Sequence, residues 1–315
     1  MTDRFFYHSF PQHADPDDLL ELGLNVMRSI IGAGLLLTPE IVEWREWRID
    51  GPSAPTMLAA KSISFTELSL QSLLEHSKRY GPFAIEFSPD DFLALGGLPV
   101  LYLPPIGNER KGLDGVGAAM LHRIGEIQNL LELLDSIGHL DDQGYLDATR
   151  DGQTVPTRIP TVVAKELIPL LEIGESVTDL LNALRAFLGL VYKADEGIDD
   201  ERLKHYRERE WRILSGIVAN DVTITRELTE EEKEGLVAMN EAFFTEVLAF
   251  RTGPARRVDQ CQLFQAMDGR EVISYASRII CPEAVLEEVS GILEDAELGY
   301  VPVVALETLG HSPAG

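Results

Sequence analysis

The sequence predicts an α+β fold: a mixed sheet core with flanking helices and a mostly helical insertion. Three observations carry this. Short alternating runs such as "FAIEF" (Phe83–Phe87) read as strands, because every second side chain meets the same face. Between them stand helix starts of defined chemistry, Ser88-Pro89-Asp90-Asp91 and Thr229 with Glu232. From Met120 to Val191, helical spacing of apolar residues dominates.

In chain order, "RFFYHSF" (Arg4–Phe10) suits a first strand. Asp15-Pro16-Asp17-Asp18 reads as a helix start, with an acid at the cap and proline at the first helical position. Leu19, Leu20, Leu24, Met27 and Ile31 form its apolar stripe, and Gly32 and Gly34 end it before the run Leu35–Leu37. Residues 50–56, with two prolines, read as a loop. From Ile63, "ISF" reads as a strand, "ELSLQSLLEHSKRY" as a helix stopped by Gly81-Pro82, and "FAIEF" as a half-buried strand. A short helix from Ser88 and a strand "PVLYL" follow.

Met120, Ile124, Ile127, Leu131 and Leu134 mark a helix across 116–138, and a hairpin is expected around Asp151-Gly152. A second helical pattern runs from Val177 to Val191. Residues 112–194 thus read as an insertion into a single domain spanning 1–315. Its heptad-like spacing permits an oligomer contact as well as packing within the chain. Beyond it, "HYREREWRIL" (His205–Leu214) reads as a strand. A helix bearing Leu236, Met239, Phe243, Val247 and Phe250 comes next, then strand-like "EVISYASRII", a helix over Pro282–Glu294, and a final strand "YVPVVAL".

The charge bounds the partners. Acids number 52 against 27 lysines and arginines, a net charge of −25. Such a surface repels a phosphate backbone and anionic lipid, and attracts a basic protein. No general nucleic-acid or membrane binding is expected, and the apolar stretch Leu24–Leu37, interrupted by Arg28, is too short to span a bilayer. Two cysteines and an N-terminus without a basic region followed by an apolar run point to the cytoplasm. No phosphate loop, HExxH, CxxC or G-x-S-x-G is present, and the histidines lack metal-ligand spacing.

What remains is a set of polar residues on strand-like segments. On one face of a strand, Glu208, Glu210 and Arg212 would stand about 7 Å apart in turn. Two facing carboxylates repel each other, which can raise the pKa of one or hold a polyhydroxylated ligand. Arg212 can hold a phosphate or pair with Glu210; a face laced by salt bridges accounts for the same residues. His8 ends an aromatic strand, either as a ligand contact or as a neutral core-edge histidine. Ser64 and Thr66 place two hydroxyls on one face. His76 and Tyr80 stand four apart near a helix C-terminus, where a histidine also serves the helix dipole.

The block Ile63–Leu103 resembles the AbiGi family, the antitoxin-side proteins of bacterial abortive phage-infection systems. The resemblance rests on Ser64–Glu67, His76 with Tyr80-Gly81, Phe83–Phe87, Pro99–Tyr102, the later Glu208–Arg212 and "RIICPEAVLEEV". Ser64 stands where cysteine is common, Glu67 replaces aspartate, and Glu86 replaces a glycine. The resemblance implies phage defence and a toxin as partner. A second resemblance, in the order His8, Ser64-Phe65-Thr66, Glu208-Arg209-Glu210, is to the ADP-ribosyltransferases. It implies NAD as ligand, with Glu210 as the catalytic carboxylate and Glu208 as the residue orienting the substrate. His8 would then contact ribose, with Ser64 and Thr66 as supports; Tyr80 and Arg212 complete the set of candidate ligand contacts.

Overall fold

A computed structural model describes residues 4–11, 18–44, 47–48, 51–52, 56–103, 124, 126–134, 137, 143–150, 153–171, 177–193, 209–215, 218–219, 222–223, 225–250, 253–264, 266–267 and 270–310. The fold is α+β, and the chain clusters into two compact units. One comprises Met1–Val42, Met57–Pro105 and Gly189–Gly315; the other comprises Glu43–Thr56 and Ile106–Leu188.

The first unit is organised by a mixed ten-stranded sheet. Its strands are β1 (Arg4–Phe10), β2 (Leu35–Trp44), β3 (Thr56–Ser69), β4 (Phe83–Phe87), β5 (Leu98–Pro99), β6 (Glu210–Leu214), β7 (Thr225–Glu227), β8 (Gln262–Phe264), β9 (Ala276–Cys281) and β10 (Val303–Ala305). The order is β7-β8-β2-β3-β1-β4-β9-β10, and β6 pairs with both β3 and β5. The β9–β10 pair is parallel, whereas β1–β3, β1–β4, β4–β9 and β3–β6 are antiparallel.

Among the described helices of this unit are α1 (Leu19–Ala33), α2 (Leu73–Tyr80), α3 (Pro89–Ala94), α4 (Glu230–Met239) and α5 (Leu286–Asp295). Phe83, Ile85 and Phe87 of β4 enter the main core with Phe6, Phe65, Met27 of α1 and Val289 of α5. Ala84 of the opposite face packs with Tyr7, Leu73 and Ile280. β4 is therefore buried on both faces rather than half-buried, because α2 begins at Leu73 and covers the second one. Gly23 of α1 lies against the Phe83 ring, where a Cβ would stand 2.1 Å from a ring carbon.

Several boundaries differ from the sequence expectation. β3 continues through Ser69, where a helix was expected from Glu67, because Thr66–Ser69 pair with β1 and Ser62–Thr66 pair with β6. β2 extends far beyond Leu37, to Trp44. "PVLYL" divides: Leu98–Pro99 pair with β6, and Leu101–Leu103 pair in parallel with Val191–Lys193. α1 starts at Leu19 after an Asp18 that makes no side-chain cap bond, and Asp15 lies outside the described residues. α3 and α4 start as expected, with Ser88 accepting from the Asp91 amide and Thr229 and Glu232 forming a capping box. The helix after Thr229 ends at Met239. Asn240 caps a new turn, Glu241–Phe244, and Val247–Phe250 pair with Gly253–Arg256 instead of extending the helix.

In the second unit, residues 126–134 are helical, Tyr145–Arg150 and Gln153–Pro160 form the antiparallel hairpin expected around Asp151-Gly152, and Thr161–Leu171 and Val177–Leu188 are helices. No described helix is long and apolar enough to cross a membrane.

Candidate functional site

The site lies where β1 leaves β3. The two strands are paired from Arg4–Ser69 to Tyr7–Thr66, after which β1 continues along β4 alone as far as Phe10. His8 then bridges the parting strands through its side chain. Its Nδ1 donates to the Ser64 carbonyl at 3.0 Å, which leaves Nε2 as an acceptor in the neutral ring. The opening is a cavity of about 540 Å³. Its wall includes His8 and Ser9 of β1, Thr38 and Glu40 of β2, Ser62, Ser64 and Thr66 of β3, His76 and Tyr80 of α2, and Glu210 of β6.

Glu210 is held from both carboxylate oxygens. It opens β6 opposite Thr66, directly after Arg209, which takes a left-handed φ of 44°. Its Oε1 accepts from Ser64 Oγ at 2.9 Å and from Arg212 Nε at 2.8 Å and pairs with Arg212 Nη2 at 2.7 Å; its Oε2 accepts from the Tyr102 hydroxyl. A carboxylate held from both oxygens cannot swing to carry a proton. It presents a negative charge fixed in direction, suited to a positive charge that develops in the cavity. Arg212 is buried and also donates to Glu40 at 2.7 Å and to Ser62 at 3.0 Å, so one guanidinium joins two carboxylates from distant strands.

Five of the seven candidates, His8, Ser64, Thr66, Tyr80 and Glu210, line this one cavity. Arg212 stands beside it as the partner of Glu210. Glu208 lies outside the described residues. Among the described lining residues, the carboxylate that shares the cavity with Glu210 is Glu40, which sequence reasoning missed, together with Tyr102 and the Ser9 hydroxyl. The signal for Glu40 was present in "LLLTPE", where Leu36, Thr38 and Glu40 alternate with Leu35, Leu37 and Pro39.

A row of polar side chains extends from this wall across the sheet. Glu210 is opposite Thr66, Thr66 opposite Tyr7, Tyr7 opposite Glu86, and Glu86 opposite Arg278. Paired residues share a face, so the row lies on one side of the sheet. At its far end the buried Glu86 accepts from the Tyr7 hydroxyl at 2.7 Å and from Arg278 Nε at 2.6 Å. Burial and the adjacent Glu86 push the Tyr7 hydroxyl well above its usual range, which suits a donor rather than an acid. Burial raises the thiols of Cys261 and Cys281, to about 12 and about 11, so neither is an activated nucleophile. Among the described residues, no three His, Cys, Asp or Glu side chains gather as a metal site would require.

Both histidines of the cavity are held neutral. Burial lowers the His8 pKa, offset in part by the Ser64 carbonyl. Burial and then Arg79 push His76 down to about 4 from an unfolded value of 6.5, while its ring stacks on Tyr80 at 4.3 Å. The unfolded chain therefore takes up a proton at higher pH than the folded one, and stability present above 6.5 is lost as the pH falls toward 4. Because the His76 ring keeps some contact with water, its share is about 1–2 kcal/mol. Urea denaturation at about pH 7 and about pH 4.5 should give a smaller difference for His76→Phe than for the wild type.

The profile of a protein family described as "Putative abortive phage resistance protein AbiGi, antitoxin" matches residues 54–243, more than half of the chain. No curated protein and no solved structure matches it.

Proposed function

The chain belongs to the AbiGi family of abortive phage resistance antitoxins, and from that premise we propose that it neutralises or regulates a protein toxin by direct contact. The family match is the observation that carries this reading. The charge of −25 supports it, since a basic partner would be drawn to the surface from a distance. The test is co-expression with a basic, growth-arresting protein encoded by a neighbouring gene. Growth restored by this chain, with a complex that co-purifies and weakens as salt rises, is the expected result. Continued growth arrest without a complex would overturn the proposal.

A second reading is favoured by the convergence of His8, Ser64, Thr66, Tyr80 and Glu210 on one cavity. In this reading the cleft binds, or consumes, NAD. Bound there, NAD would supply a ribosyl bond to a positively charged leaving pyridinium. His8 Nε2 and the Ser64 and Thr66 hydroxyls would hold the ribose, and Glu210 would place its fixed charge beside the sugar. The described lining residues include no lysine or arginine for the pyrophosphate, so recognition would fall on the ribosyl–pyridinium end. Release of nicotinamide by the wild type and its loss in Glu210→Gln would support consumption.

A further inference from the structure

A second cavity of about 610 Å³ lies beside the polar one, and Val26, Ile30, Leu36 and Phe243 line both. The wall of the second is apolar, with Leu22, Leu236, Met239 and Phe244 among its residues. Glu232 is the only charged side chain on its described wall, and it pairs with Arg226. Taken as one joined cleft, the pair is amphipathic: carboxylates and hydroxyls at one end, aliphatic and aromatic surface at the other.

The polar end is built to receive donors. Glu40 and Glu210 place two carboxylates around the single guanidinium of Arg212, and neither cavity has a lysine or arginine among its described lining residues. His8 offers Nε2 as an acceptor, because Nδ1 is committed to Ser64. Ser9 lines the same wall, and its buried hydroxyl has no hydrogen-bond partner among the described residues. A phosphate or carboxylate head would meet net negative charge here, whereas an ammonium head would meet two carboxylates against one guanidinium, with the His8 Nε2 acceptor nearby.

We infer that the joined cleft binds a small organic cation, with its amine head between Glu40 and the His8–Ser64 wall and its apolar body along α1 against Phe243. The inference goes beyond the toxin and NAD readings and depends on neither. Its test uses the full chain and three probes of one shape and different charge: phenylbutylamine, phenylbutanol and phenylbutyrate. By calorimetric titration the amine should bind about tenfold more tightly than the alcohol, and the alcohol more tightly than the carboxylate. Glu40→Gln changes a half-exposed side chain that folding tolerates, and should reduce the amine's advantage about fivefold while leaving alcohol binding unchanged. Phe243→Ala should weaken all three by a similar factor. Equal binding of the three, preference for the carboxylate, or no binding at all would overturn the inference. A concentration-dependent dimer that covers the groove and blocks the amine would overturn it as well.

Discussion

Replacing Arg212 with methionine should cost about 3–5 kcal/mol of folding stability, a large part of what a chain of this kind possesses. The guanidinium is buried, and it neutralises Glu210 at 2.7 Å and Glu40 at 2.7 Å while giving the buried Ser62 hydroxyl its partner at 3.0 Å. Methionine fills the space of the side chain but leaves two carboxylates facing each other in a partly desolvated cleft. The penalty is that of uncompensated charge rather than of lost volume. A second substitution, Glu210→Gln, should then recover part of the loss in the Arg212→Met background, although Glu210→Gln destabilises when made alone. Urea denaturation of the four proteins measures this coupling. A loss below about 1 kcal/mol in Arg212→Met would show that the carboxylates draw little from the guanidinium.

Phe92→Ala should cost a similar amount, about 3–5 kcal/mol, for a different reason. The ring is fully buried, stacks on Phe6 at 4.1 Å between centroids, and meets Phe65 at 4.8 Å and Trp211 at 6.1 Å edge-on. It thereby ties together β1, β3 and β6, the strands that carry His8, Ser64 and Glu210. The turn after α3 closes tightly over it, since a Cβ on Gly97 would stand 2.1 Å from a ring carbon. A neighbourhood so closely packed on several sides cannot collapse into the vacated space, so the cavity remains. Phe92→Leu should retain more than half of the stability lost in the alanine variant. Thermal or urea unfolding of the two variants tests this, and equal losses would contradict the packing account.

The sequence made the fold class and the strand-borne candidates legible where a single period dominated. "FAIEF" alternates cleanly, and Ser88 and Thr229 announce helices through side chains that bond within the first turn. The period misled where apolar residues kept a helical spacing across a break. Leu236, Met239, Phe243 and Val247 suggest one helix, yet Asn240 caps a new turn and Val247–Phe250 find a strand partner. Glu67–Leu70 has helical character by composition, but β1 pairs with Glu67–Ser69 and β6 with the preceding Ser62–Thr66, which claims them for the sheet. Pairing of this kind links residues more than sixty or a hundred positions apart, and no local window contains it.

The same limit applies to the site. His8, Ser64, Thr66 and Glu210 were identifiable as polar residues on strands, and strand pairing brings them to one opening. Glu40 and Tyr102 were not found, because their relevance comes only from Arg212 and Glu210, which lie far along the chain.

A calorimetric titration of NAD into the wild-type protein, run beside Glu210→Gln, tests most directly the claim that the cleft where β1 leaves β3 receives NAD. Heat of binding in the wild type that is weakened or lost in the variant is the predicted result. No heat from either protein, or identical isotherms from both, would contradict it.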